Sequence, residues 1–440
     1  MENNVRVARE IVTSCLNIEE GENIWISSWD HTIDVASELA FLCRQKGARP
    51  FVTLTTENYW MRSLQEIPKT LLETLSPFET ATLGQTDVFI FLLGPKTPVD
   101  WSKIPPEKQE LANVWFLESN RYMDKWRELT RKRSVRMLGV EYCWATKERA
   151  QALGLDYEEW KKVMLTGCLV NQQEIAQRAS QLAEIFRVGQ DVNVATPSGT
   201  KLKFRLVGRE PNVGDSVVSK EDGAKGIVKF LPSGFVEVAA DEDSAEGTVV
   251  YDATVLARGG RGVKNLTLHF KRGEVVEYSA QSGIEDFESY LKSGDGDLSK
   301  FAFFGIGLNA GLRHGFTQDD KVLGSVTLGV GGNEDKGGKN RTIGNRHWWG
   351  SMTKATLSID GKTIAPTHLK KTKPQLDQSI KYQNSAQRKQ SRNNEHEAKP
   401  QRKKTKARPN LQKRCAIEHT PAFPPQQKTP SRKQPPRRAF

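Results

Sequence analysis

Residues 301–350 read FAFFGIGLNAGLRHGFTQDDKVLGSVTLGVGGNEDKGGKNRTIGNRHWWG. Apolar, strand-like runs at Phe301–Gly307 and Val326–Val330 are separated by Gly-rich turns, and His347 follows the last of them. A histidine at such a turn is a candidate metal ligand, yet its neighbours Trp348 and Trp349 are bulky and apolar. Function turns on how that mismatch is read, so the rest of the chain is taken outward from it.

At 440 residues the chain is long enough for two domains with real cores. No apolar run approaches the ~18 residues of a membrane span, so no membrane partner is expected. Residues 1–20 combine acidic residues with helical periodicity, unlike a signal peptide. Cys15, Cys43, Cys143, Cys168 and Cys415 form no CxxC pair and read as reduced thiols of a cytoplasmic protein. The net charge of +12 belongs to one end. Residues 370–440 hold 20 Lys+Arg against 4 Asp+Glu, leaving 45 against 49 in residues 1–369.

Taken in order, Val5–Leu16 has helical spacing, Ile24–Ile26 reads as a buried strand, and His31–Gln45 as a helix closed by Gly47. Strands follow at Phe51–Leu54, Val88–Leu93, Val114–Leu117 and Val135–Val140, with helices between most of them. Near-continuous apolar strands alternating with helices predict an open parallel α/β sheet. No GxGxxG follows the first strand, so the dinucleotide fingerprint is absent. Glu174–Phe186 is a long connecting helix. Beyond it, strands at 192–194, 201–207, 226–230, 235–238, 247–256, 263–270 and 274–278 alternate with Gly-rich turns, and helix returns at Ile284–Leu291. The predicted class is α/β plus α+β. An N-terminal parallel-sheet domain spans 1–188, a C-terminal strand-rich domain 189–366, and a basic tail 367–440. The tail is too poor in apolar residues to offset its ordering entropy and is expected to be disordered. Its run Arg402–Arg408 suits nucleic acid or a localisation signal, while a solvated basic tail is the plainer reading.

The order of several blocks resembles the aminopeptidase T family of metallopeptidases. They are Gly199-Thr200 with Gly208-Arg209, Leu231-Pro232-Ser233-Gly234, Ser244–Thr248, Gly305–Asn309, Asp319–Gly324, Gly337–Asn340 and His347-Trp348, preceded by Val140–Glu174. Across residues 5–363 the resemblance implies an α/β domain, a strand-rich domain and a homodimer. It also implies a two-metal site in the second domain that removes N-terminal amino acids.

On that resemblance, five positions would ligate metal: a glutamate after the LPxG turn, a glutamate two residues before GIG, a histidine in the following strand, and a final HxD pair. Here they are Phe235, Phe303, Thr327, His347 and Trp349. Phenylalanine and tryptophan cannot ligate a divalent cation, and threonine is a poor neutral ligand. One-iron ring-opening dioxygenases resemble the same fold but also rely on the HxD pair that Trp349 breaks. Glu237, two residues past Phe235, shares its strand face and is a candidate stand-in, as are Glu334, Asp335, His269 and His314, for a site that holds a single metal ion with His347. The plainer reading makes His347 a packed histidine and Glu237 a solvated strand residue. The expectation is therefore no cofactor, with a divalent metal ion only if the chain is an active aminopeptidase. Phe235, Phe303 and Trp349 would then form an apolar plug beside His347. A peptide or small molecule in the old cleft, or nucleic acid on the tail, are the ligand classes left. The loop Gly331–Asn340 superficially resembles a phosphate loop, but Asn333 and Asn340 stand where that motif needs Gly and Ser or Thr.

Overall fold

Apolar strands and amphipathic helices sort into three sheets in the computed structural model, which describes residues 2–112, 121–253, 262–294 and 296–365. The expected strand at Val114–Leu117, the tail and Cys415 lie outside the described residues. In chain order the strands are β1 (Asn23–Trp29), β2 (Arg49–Thr55), β3 (Val88–Leu92), β4 (Arg136–Val140), β5 (Asp191–Ala195), β6 (Lys201–Arg205), β7 (Asn212–Gly214), β8 (Val228–Leu231) and β9 (Phe235–Ala239). They continue as β10 (Glu246–Tyr251), β11 (Leu266–Lys271), β12 (Glu274–Ser279), β13 (Phe301–Gly307), β14 (Val326–Gly331), β15 (His347–Met352), β16 (Thr356–Ile359) and β17 (Lys362–Ile364).

The first sheet is parallel, in the order β2-β1-β3-β4-β8. One face carries Ile24, Ile26, Val88, Ile90, Leu138 and Val140, and it packs with Val7, Val35, Leu39 and Trp160 from helices at 2–10, 33–45 and 157–168. The other face carries a run of aromatic contacts linking Trp25, Phe89, Phe91, Phe230 and Trp126. Its fifth strand, β8, comes from far along the chain and pairs with β4 through Met137↔Val228 to Val140↔Leu231. The four described cysteines are buried free thiols.

The connecting helix runs Gln172–Val188 and is capped by Asn171, whose side chain accepts from the Glu174 amide. Beyond it a seven-stranded antiparallel sheet, β12-β11-β10-β6-β5-β16-β17, and a five-stranded one, β15-β14-β13-β9-β7, share one apolar core. The first gives Val192, Phe204, Val249, Leu268 and Phe270; the second gives Val236, Val238, Phe304, Ile306, Val326, Leu328 and Met352. Period-two alternation thus commits one face of the five-stranded sheet to the core and sends the intervening residues to the opposite face. That opposite face is also covered, because every residue of β13 and β14 is buried. The short strand β7 had no signal in the sequence: three residues carry too little periodicity to read.

Phe304 is at the centre of the shared core, with ring centroids 4.6 Å from Phe186 and 5.2 Å from Phe204. Phe304→Ala is expected to lower unfolding stability by about 3–5 kcal/mol. Phe78→Ala, at a side chain 86% exposed, should change it by less than about 0.5 kcal/mol. Urea unfolding of the two variants checks the contrast; equal effects would contradict this placement of the core.

Candidate functional site on the five-stranded sheet

The five expected ligand positions and Glu237 lie on the covered face of the five-stranded antiparallel sheet, the side opposite its core. Strand registers place them. Glu237, Gly305, Thr327 and Ser351 form one row across β9, β13, β14 and β15. Ala239, Phe303, Gly329 and Trp349 form the next. Phe235 is opposite Gly307, and His347 opposite Gly331. A bulge between Phe301 and Phe303 keeps Phe301 in the core while Phe303 turns to the site face.

Within this frame the side chains divide. Phe303 is buried, and its ring meets His347 edge to face, with centroids 5.4 Å apart and planes at 85°. That ring lies across Gly329, where an added Cβ would come within 2.1 Å of it, so the close approach requires glycine. Trp349, half-buried, lies beyond Gly329 in the same row. Phe235 does not join them. Its ring lies over Gly214 of β7, again leaving no room for a Cβ, at the far edge of the sheet. Thr327 is buried, and its hydroxyl shares a 2.8 Å hydrogen bond with Ser351.

Glu237 is not a solvated residue. Its side chain is 16% exposed, accepts a 2.8 Å hydrogen bond from Asn212 Nδ2, and lies 3.4 Å from Lys336 Nζ. Lys336, 7% exposed, pairs with Asp335 at 2.6 Å. Its ammonium also sits 4.8 Å from the centroid of the Phe303 ring. Burial pulls the Lys336 pKa down, but Glu237 and Asp335 outweigh that and hold it above the ordinary lysine value. Burial likewise opposes ionised Asp335, yet Lys336, a 2.7 Å bond from Asn345 and the nearby His347 keep its pKa low. Asp320 adjoins this group from the turn after β13. Burial, opposed by Lys321 and reinforced by Glu141 and Glu237, pushes it up to about 6. Lys321 in turn bonds Glu141 at 2.6 Å. Of the other substitutes, His269 shares a hydrogen bond with Thr248 on the seven-stranded sheet, and Glu334 pairs with Arg341. Burial lowers the pKa of His314. Among the described residues, no three His, Cys, Asp or Glu side chains come together as a group that could hold a metal ion.

The loop bearing Asp335 and Lys336 is fixed by Glu242. That carboxylate takes two 2.8 Å hydrogen bonds from the Arg209 guanidinium, one of 2.6 Å from the Lys339 amide and one of 3.1 Å from Asn333 Nδ2. Asn333 and Asn340 then donate to the carbonyls of Ala302, Phe301 and Gly331 at 2.8–2.9 Å. The two asparagines that break the phosphate-loop pattern thus fasten the loop to β13 and β14. Neither Lys336 nor Glu242 stood out in the sequence. Lys336 was visible only as one charge in an acidic, Gly-rich turn, and no spacing rule connects Arg209 to Glu242.

The family described as thermophilic metalloprotease (M29) matches the chain over residues 2–299, ending before β13. Two solved structures share the fold. Wild-type AmpT from Thermus thermophilus is 17% identical, with TM-score 0.59, covering 82% of this chain and 97% of that one. 2,5-Dihydroxypyridine dioxygenase from Pseudomonas putida KT2440 is 14% identical, with TM-score 0.53, covering 82% and 95%. No curated protein matches the chain.

Burial works to raise the Glu242 pKa, but Arg209, the Lys339 amide and Asn333 hold it down to about 2, against an ordinary 4.5. A depressed folded pKa adds stability that is complete above the unfolded value and is lost as pH falls through the folded one. The urea midpoint of the wild type should therefore fall more steeply between pH 4.5 and about 2 than that of Glu242→Gln. Parallel acid profiles would show that Glu242 is not the group responsible.

Proposed function

The chain belongs to the thermophilic metalloprotease (M29) family, and we propose that it is a member without two-metal peptidase chemistry, serving as a binding or structural homologue. One observation carries this reading: the side chains that share the covered sheet face. Two divalent ions about 3.5–4 Å apart need several hard donors between them to hold both ions and an attacking water. Phe235, Phe303 and Trp349 offer none, and the Thr327 hydroxyl is engaged by Ser351. Glu237 is committed to Asn212 and Lys336, which leaves His347 beside the Phe303 ring. These residues do not fit a pair of metal ions. The match to the family ends at residue 299, before the segment holding four of the five ligand positions.

The resemblance further supports a homodimer in the cytoplasm, with a peptide or small molecule as the ligand of the old cleft. The basic tail supports a salt-sensitive contact with nucleic acid. No helix among the described residues is long and apolar enough to cross a membrane.

Elemental analysis of protein purified without added metal should give well under one divalent ion per chain. Unblocked peptides should release no amino acids with zinc, cobalt or manganese supplied, and His347→Ala should leave that baseline where it is. Metal-stimulated release, abolished by His347→Ala, would instead assign the chain to active aminopeptidases with substituted ligands.

A further inference from the structure

Given a sheet face that carries no metal pair, the reading proposed above on which this step rests, we propose that the Lys336 ammonium is the resident cation of the site, a tethered replacement for a divalent ion. Its position carries the argument. The side chain is 7% exposed, and Nζ lies 2.6 Å from Asp335 and 3.4 Å from Glu237. The ammonium also faces the ring of Phe303, a residue at one of the expected ligand positions. A carboxylate at 303 would serve a metal; an aromatic face there suits an organic cation. Two carboxylates held close together with no cation between them would repel and bear a large desolvation cost. A lysine, cationic at neutral pH, removes most of that cost. It supplies one charge where a metal supplies two. Hydrogen bonds to the same carboxylates from Asn212 and Asn345, at 2.8 and 2.7 Å, serve the negative charge left over.

The arrangement differs from an ordinary surface ion pair in two ways. The ammonium is buried, and the loop presenting it is anchored by Glu242 through the Lys339 amide and Asn333. Other charges border the group. Asp320 and Glu237 repel each other, and Lys321 is already taken by Glu141. Lys336 therefore closes a site that metal would otherwise have to fill, and it leaves with the chain rather than with a chelator.

The test is a stability cycle in the full-length protein. Lys336→Met and the double variant Glu237→Gln/Asp335→Asn should each lower Tm by several degrees, because each leaves buried charge uncompensated. The triple variant, neutral throughout, should recover most of the loss. Additive losses across the cycle would overturn the proposal. As a second arm, millimolar methylammonium or manganese should raise the Tm of Lys336→Ala, which opens a hole lined by two carboxylates. Neither should raise that of Lys336→Met or of the wild type. A Lys336→Ala protein indifferent to both cations counts against a cation site. Should Lys336→Ala fail to fold, the cycle still decides. Tight zinc binding by the wild type would overturn the metal-free reading instead, leaving the outcome of the cycle to be judged separately.

Discussion

The Glu242 carboxylate is the constraint on which the covered sheet face depends. It receives both arms of the Arg209 guanidinium, a backbone amide and an asparagine side chain. Those donors come from three places in the chain, after β6, at the start of β14's following loop and at its end. A bidentate, buried, charge-assisted arrangement of this kind fixes geometry as well as adding stability. It acts together with the asparagine contacts to β13 and β14, the Asn345 bond to Asp335 and the Lys336–Glu237 pair to set the height of the loop 331–340 over the sheet. Because Lys336 reaches its partners from that loop, placement of its buried ammonium is inherited in part from an ion pair outside the face itself.

The face also shows why a two-sided sheet is chemically demanding. β13 and β14 are buried on both sides. Residues on the core side need only be apolar and complementary. Those on the other side lie where covering loops bring polar backbone and charged side chains. Phe303 and Gly329 meet this by volume, a ring laid over a residue with no Cβ. Thr327 and Ser351 meet it by satisfying each other. Glu237 meets it through Asn212 and Lys336. Each is a local answer to one requirement, that buried polar groups be paired.

Much of this architecture was readable from the sequence. β-strand and helix positions follow from apolar periodicity, so the parallel and the strand-rich sheets could be read with small shifts at element ends, as at the long helix, expected at Glu174–Phe186 and found at Gln172–Val188, while at Ile284–Leu291 expectation and structure coincide. The face shared by Phe235, Glu237 and Ala239 followed from period two alone. What could not be read was direction within that face. Phe235 and Phe303 both stand where the resemblance implies a glutamate, yet one ring lies over Gly214 at the edge and the other over Gly329 beside His347. Rotamer choice depends on which neighbour lacks a Cβ, and that neighbour is known only once strands are in register. Lys336 and Glu242 were illegible for a related reason: their partners are close in space and remote in sequence.

The provenance of β8 has a consequence for synthesis. The parallel sheet takes its fifth strand from Val228–Leu231, after the chain has already laid down the long helix and three strands of the other half. A ribosome that has released only the first 188 residues has delivered β4 with one edge bare, because the strand that covers it does not yet exist. An uncovered strand edge is a template for pairing with other chains. The two halves are therefore interleaved in time as well as in space. Completion of the early sheet waits on the later polypeptide, and the nascent protein passes through an interval in which its exposed edge must be kept from its neighbours on the polysome.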